Sequence, residues 1–234
     1  MKTLLGLALA ALFGLGAPAF AQSAGTPVVV ELYTSQGCSS CPPADRVLAD
    51  LAARDDVVAL ALHVDYWDYM GWKDRFASPA FSDRQRAYAR HAGARTVYTP
   101  QMIVGGADHL IGTHVAELQA LIRAHAARPP AVDLALERRG AKLRLRAAPR
   151  QALPEGTFVQ FVRYDPLRRV SIERGENAGR VIDYANIVTE WRRLREWNGP
   201  EELVLDLDAP GPQPVVVIVQ EPGPGRILGV AHLR

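Results

Sequence analysis

The chain has 234 residues, 48% of them hydrophobic and 22% charged, an ordinary globular composition for one large domain or two small ones. Its formal net charge is only +2, and no Lys/Arg block or basic patch with interleaved aromatics is present, which argues against nucleic acid as a partner. A chain of this length buries a substantial core without disulfides, so its two cysteines call for a reason of their own.

The first residues, MKTLLGLALAALFGLGAPAFAQ, read as a signal peptide over residues 1–21. Lys2 supplies the positive start, Leu4 to Leu15 the apolar stretch, and Ala19-Phe20-Ala21 the small-x-small cleavage pattern. That run is short against the ~20 residues a spanning helix needs, so no stable membrane anchor is expected. The mature protein is expected in the periplasm or outside the cell, where disulfides persist.

The first half then alternates strands and helices. VVVELY (Val28–Tyr33) is dense in β-branched residues and suits a buried central strand. From Pro42 to Arg54, Ala44, Val47, Leu48 and Leu51 make the apolar stripe of a helix whose first turn accepts prolines. VVALALHVDY is a second strand. SDRQRAYARHAG reads as a helix with Ser82 and Gln85 as a capping box and Gly93 just past its end. QMIVGG and HLIGT read as a hairpin across Gly105-Gly106, and Thr113 can cap a last helix to about Ala127. After Arg128 the pattern changes. VDLALE, KLRLRA, TFVQFVRYD, RRVSIE, ELVLDLD, PVVVIVQ and RILGVAHL are short strands separated by turn residues, as in an antiparallel sandwich. The expected fold class is an α/β domain over residues 22–128 followed by an all-β antiparallel sandwich domain over 131–234.

ELYTSQGCSSCPP carries both cysteines, Cys38 and Cys41, between a strand and a helix. Unpaired N–H groups and the macrodipole at a helix start stabilise a thiolate. Two intervening residues let the second thiol attack a mixed disulfide formed by the first. In that reading Cys38 attacks and Cys41 resolves, and no cofactor is needed, because the dithiol itself carries two electrons. Other readings stand beside it. A structural disulfide would close a very small loop and gain little entropy. A closed zinc site wants four ligands. Both thiolates could instead hold copper together with His63, His109 or Met102, making the protein a non-enzymatic metal chaperone or a redox-sensitive binding module.

The order strand, C-x-x-C, helix, strand, helix, Thr-Pro, hairpin, helix resembles the thioredoxin fold. More narrowly, VVVELYTSQGCSSCPPADRVL, HVDYWDYMGWKD and GENAGRVIDYANIV resemble a secreted thioredoxin-like bacterial family catalogued as domain of unknown function 1223. The resemblance implies a cis-proline facing the cysteines, at Pro100 with Thr99 before it, that positions the substrate backbone. It also implies an exported compartment, and together with the cysteine chemistry above the expected reaction is thiol–disulfide exchange on protein or small-molecule thiols and disulfides. The chain departs from thioredoxin where Gln36-Gly37 replaces the tryptophan before the first cysteine and Ser39-Ser40 replaces Gly-Pro.

Glu31, a carboxylate among apolar strand residues, is a candidate for proton transfer to Cys41. DYWDYMGWKD packs aromatics and acids into a loop after a strand, so Asp65, Tyr66, Trp67 and Trp72 are candidates for a recognition loop. His63 reads as a core histidine, Trp191 and Trp197 as sandwich core, and GENAGR as a structural turn.

Overall fold

The structure, a computed structural model, describes residues 26–234. The signal-peptide reading, with its cleavage pattern at Ala19–Ala21, lies outside the described residues. In chain order the elements are β1 (Val28–Thr34), α1 (Pro42–Ala52), β2 (Val57–His63), α2 (Pro79–His91), β3 (Gln101–Val104), β4 (Asp108–Ile111) and α3 (Val115–Ala126). There follow β5 (Val132–Arg139), β6 (Lys142–Pro149), β7 (Phe158–Ser171), β8 (Val181–Glu196), β9 (Leu203–Asp208), β10 (Val215–Gln220) and β11 (Ile227–Leu233).

The expected α/β thioredoxin-like domain followed by a separate all-β sandwich is overturned. Eight strands form one mixed sheet in the order β11-β10-β7-β8-β2-β1-β3-β4, and only β5, β6 and β9 form a second sheet. The joint is β8. The sequence reading assigned no strand to VIDYANIVTEWRRLRE, and split β7 into two short strands. In the structure these segments make one long antiparallel ribbon from Phe158↔Glu196 to Ser171↔Val181. Midway, β8 runs parallel beside β2, with Ala61 opposite Ile187. Asn186 adopts φ 48°, a left-handed conformation that Asn tolerates better than most residues, and its side-chain N–H donates to Ala59 O at 2.9 Å. That local kink ties the ribbon to the first-half strands.

Alternation along β1 and β2 sends side chains to two faces. Val28, Val30 and Leu32 pack with Val57, Ala59 and Ala61 under α1 and α3, through Ala44, Leu48, Leu51, Leu118 and Ile122. Val29, Tyr33, Val58, Leu60 and Leu62 face the other way, under α2. This second core runs without a break into Val162, Val188, Val216, Ile218 and Val230 of the C-terminal strands. Each fully buried Leu or Ile in these layers stabilises the fold by about 1.5–3 kcal/mol. The three-stranded sheet covers the opposite face of β7, β10 and β11 through Leu143, Leu145, Phe161, Val217 and Leu228.

Two helix starts differ from the sequence reading. α2 begins at Pro79, with Ser78 as N-cap accepting from the Ala80 N–H at 3.3 Å, because Ser-Pro supplies both a cap and a first residue that needs no N–H donor partner. Ser82 and Gln85 therefore sit inside the helix, buried. Gly93 follows its end at φ +70°, as expected of a residue just past a helix. α3 starts after His114, not with a Thr113 side-chain cap. The β3–β4 hairpin turns through Gly105 and Gly106, both at positive φ.

Candidate functional site

Cys38 and Cys41 are joined in a disulfide with Cα atoms 5.4 Å apart, in the connection from β1 to α1. Successive turns carry the chain there: the Cys38 N–H donates to Ser35 O and the Cys41 N–H to Cys38 O, each at 3.2 Å. Cys41 is the N-cap of α1 and already has helical dihedrals, φ −77° and ψ −36°. Prolines fill the first helical positions. They remove N–H donors while leaving the positive end of the macrodipole in place. Both cysteines are buried, Cys38 at 3% exposure and Cys41 at 0%, and Ser39 and Ser40 between them are exposed.

Two hydroxyls reach the Cys38 sulfur, Ser40 Oγ at 3.4 Å from the same turn and Thr99 Oγ1 from the segment before β3. Thr99 Oγ1 donates to Cys38 Sγ at 3.2 Å, and the Trp67 indole N–H donates to that same Oγ1 at 2.8 Å. An indole can only donate, so it fills an acceptor position on the hydroxyl and directs its single proton at sulfur. The Thr99–Pro100 peptide is cis and Pro100 is buried. Gly112, just beyond β4, brings Pro100 close to α1. A Cβ there would stand 2.9 Å from Ala44 Cβ and 3.3 Å from Pro100 Cβ.

The loop before the cysteines is held from distant parts of the chain. Asn177 Nδ2 donates to both Gln36 O and Cys38 O at 2.9 Å. The Gln36 N–H donates to Asp74 Oδ2 at 2.8 Å, and the Trp72 indole donates to Gln36 Oε1 at 2.7 Å. Gly37 passes so close to Trp67 that a Cβ would meet its carbonyl at 3.1 Å.

Behind the disulfide lies a buried polar group. Asp45, one turn into α1, accepts from Thr34 Oγ1 at 2.8 Å through Oδ1. Burial pushes its carboxyl up to about 7, against the opposing pull of His63 and the Thr34 hydroxyl. His63, at the end of β2, sits with Nδ1 2.6 Å from Asp74 Oδ2. Burial raises the Asp74 carboxyl, but the His63 ring and the N–H groups of Gln36 and Phe76 outweigh it and hold that carboxyl below its ordinary value. The Tyr184 ring packs edge-on against His63 at 5.0 Å. Its phenol is raised by burial first, then by the charges of Asp45 and Asp74.

The structure thus gathers Cys38, Cys41, Thr99, Pro100, Trp67 and Trp72. It places the other sequence candidates elsewhere. Glu31 is fully buried, but on the sheet face opposite α1, where Arg84 binds both its oxygens at 2.8 Å. Tyr33 and Tyr88 donate to it at 3.0 and 2.7 Å. Asp65 turns to Ser82 and the Tyr66 hydroxyl donates to Gln85, both on α2. Of the residues weighed as copper ligands, His63 is engaged by Asp74, Met102 lies in the core under α1, and His109 packs against the Tyr88 ring. Among the described residues no group of three or more His, Cys, Asp or Glu is placed to hold a metal ion, and no helix is long and apolar enough to cross a membrane. Sequence reasoning missed Asp45, Asp74 and Asn177. Asp45 carried a signal, four residues after Cys41 at helical spacing. Asn177 lies 139 residues from Cys38; its GENAGR motif reads as a structural turn in the sequence, but nothing there pairs it with the cysteine loop.

The fold and site define a mixed-sheet α+β protein with a helix-start disulfide under a threonine–tryptophan clasp. The chain belongs to the family described as protein of unknown function DUF1223, which it matches over residues 29–220. It is similar to a crystal structure of a protein from Agrobacterium tumefaciens, with 30% identity, 91% of this chain and 96% of that one covered, and a TM-score of 0.78. It also shares its fold with HBP35 of Porphyromonas gingivalis, at 14% identity, covering 90% of this chain and 76% of that one with a TM-score of 0.64. No curated protein matches the chain.

Proposed function

We propose that the protein is a thiol–disulfide oxidoreductase that acts outside the cytoplasm on protein or small-molecule thiols and disulfides. The observation that carries this reading is the aim of the Thr99 hydroxyl at Cys38 Sγ, at 3.2 Å, beside a disulfide at a helix start. A structural staple needs no donor on its sulfur, whereas a sulfur that leaves or attacks as a thiolate is stabilised by one. Thr99 meets the Cys38 sulfur and Ser39 and Ser40, next to it in the chain, are exposed, so in this reading a substrate sulfur reaches Cys38 beside those serines. Cys41, fully buried behind it, is the resolving thiol. The leader-like first residues and the persistence of a disulfide in oxidising compartments support an exported protein.

The test is trapping. Cys41→Ser should accumulate mixed disulfides through Cys38 when challenged with glutathione disulfide or an unfolded disulfide-bonded protein, while Cys38→Ser accumulates few. A wild-type disulfide that resists reduction by dithiothreitol in the folded protein, with no mixed disulfide from either variant, would refute the reading and leave the bond structural.

A further inference from the structure

We propose that Asp45, set in a buried Asp45–His63–Asp74 array beneath the disulfide, takes the proton of Cys41 when that thiol resolves a mixed disulfide and returns it when Cys41 leaves. This assignment rests on the exchange reaction proposed above and gives its second step a proton carrier.

Three observations carry it. Cys41 has helical dihedrals and Asp45 follows it by four residues, with the Asp45 N–H donating to Cys41 O at 3.1 Å. Positions four apart on a helix share a face, with Cβ atoms about 5–6 Å apart, and both residues are buried, Asp45 at 3% exposure. Next, Asp45 uses one oxygen only. Thr34 holds Oδ1, while Oδ2 is buried with no hydrogen-bond partner among the described residues, and the same is true of His63 Nε2 and Tyr184 OH. Buried polar atoms are ordinarily paired, and unpaired ones concentrate where chemistry needs them or where water enters. Lastly, the buried carboxylate of β1 is closed to this role, since Arg84, Tyr33 and Tyr88 occupy both oxygens of Glu31 on the far face.

The step balances as follows. Cys38 thiolate attacks a substrate disulfide R–S–S–R′; that bond breaks and R′–S⁻ departs. Cys41 gives its proton to the Asp45 carboxylate and attacks Cys38 Sγ as a thiolate. The bond from Cys38 to the substrate sulfur breaks, the Cys38–Cys41 bond forms, and R–S⁻ departs. The substrate disulfide gains two electrons and the dithiol loses two. When a substrate thiolate attacks the oxidised protein, Cys41 leaves and the Asp45 carboxyl protonates it. A carboxyl titrating near neutrality serves both directions. The groups facing Asp45 are Thr34 on β1, His63 at the end of β2, Asp74 in the loop after it, Arg46 on α1 and Tyr184 on β8. His63 and Thr34 favour its charged form and Asp74 opposes it. The Asp74 contact fixes the His63 ring, so the array sets when Asp45 can accept a proton.

Stopped-flow reaction of the reduced full chain with dithiobisnitrobenzoate separates the steps. The first coloured thiolate reports attack by Cys38, and the second reports resolution by Cys41. Asp45→Asn should leave the first phase within about twofold and slow the second about 100-fold near neutral pH. In wild type the second phase should rise with pH through the ionisation of Asp45, and in Asp45→Asn only where Cys41 ionises by itself. Thr34→Val removes a hydrogen bond to the charged carboxylate, so it should move the wild-type midpoint of the second phase up by about one pH unit. This readout does not depend on Asp45→Asn folding and would not move if Asp45 were merely structural. An unchanged second phase in Asp45→Asn, or an unchanged midpoint in Thr34→Val, overturns the assignment while leaving the oxidoreductase reading intact. A wild-type protein that never releases the second thiolate overturns the oxidoreductase reading itself.

Discussion

The clasp on Cys38 can be tested by Thr99→Val, which keeps the shape of the side chain and deletes the nearer donor, leaving only Ser40 Oγ at 3.4 Å. The Thr99 hydroxyl stands 3.2 Å from Cys38 Sγ and is held in its donating role by Trp67. A hydrogen bond to a charged group is worth about 1.5–3 kcal/mol. Sulfur is a diffuse acceptor and Thr99 is half-buried, so the low end applies, which is about one pKa unit upward for the Cys38 thiol. That change lowers the thiolate fraction about tenfold below the wild-type midpoint. It also makes the remaining thiolate about threefold more nucleophilic, given a Brønsted slope of about 0.4–0.5. Alkylation by iodoacetamide in a Cys41→Ser background should therefore be about threefold slower in Thr99→Val at low pH and about threefold faster at high pH, with a crossover between. Trp67→Phe should move the midpoint the same way by less, because the freed hydroxyl can still reach sulfur. Alkylation curves of Thr99→Val and its parent that superimpose would show that the contact does not act on the thiolate.

Other substitutions probe the surroundings. Glu31→Gln leaves Arg84 without its carboxylate in a buried site, and should cost about 3–5 kcal/mol in urea unfolding while leaving the first phase of dithiobisnitrobenzoate reaction intact; a stable variant would mean the ion pair is dispensable. Asp45→Asn changes how stability depends on pH. The folded carboxyl keeps its proton up to about 7, whereas the unfolded one releases it near 3.8, so the wild-type contribution is present at low pH and lost as pH rises to about 7. The variant, which has no such loss, should gain on oxidised wild type by on the order of 3 kcal/mol between about pH 5 and 8, read as urea midpoints at the two pH values; a constant difference refutes the raised carboxyl. Asn177→Ala strands the Gln36 and Cys38 carbonyls, and should cost about 2–3 kcal/mol and speed reduction of the disulfide by dithiothreitol. Reduction at the wild-type rate would mean that the loop is held without Asn177.

The legible parts of the sequence were those with local causes. The apolar run of β1, the stripe of α1 and the Gly-Gly hairpin each announce themselves within a dozen residues. So did the cysteine pair, whereas Thr99-Pro100, 61 residues from Cys38, was set opposite it only by the resemblance of the element order. What was not legible depended on pairing. VIDYANIVTEWRRLRE has buried positions only at Tyr184 to Val188, where it enters the sheet beside β2. Elsewhere it is a polar ribbon with many arginines, so its pattern gave no clean strand alternation. Without β8 the two halves read as separate bodies. Glu31 shows the same limit from another side. Its burial followed from alternation along a central strand. Its partner Arg84, fifty-three residues away, could be placed only once α2 was known to cover that face.

The C-terminal strands therefore matter to the disulfide in a way that sequence order conceals. β8 lies against β2 and brings Tyr184 edge-on against His63, where both side chains are buried along with Asp45. The turn just before β8 delivers Asn177 to the carbonyls on either side of Gly37. Gly175, at φ +76° and within 3.1 Å of Met70 O and Trp72 Cβ for any added Cβ, lets that turn sit directly on the aromatic loop. That loop, in turn, supplies Trp67 to Thr99 and Trp72 to Gln36. A dithiol needs a fixed separation, a donor for the attacking sulfur and a dry, proton-competent setting for the resolving one. In the proposed exchange the connection from β1 to α1 would supply the first, the aromatic loop would orient the second through Trp67 and Thr99, and β8 would help bury the third through Tyr184.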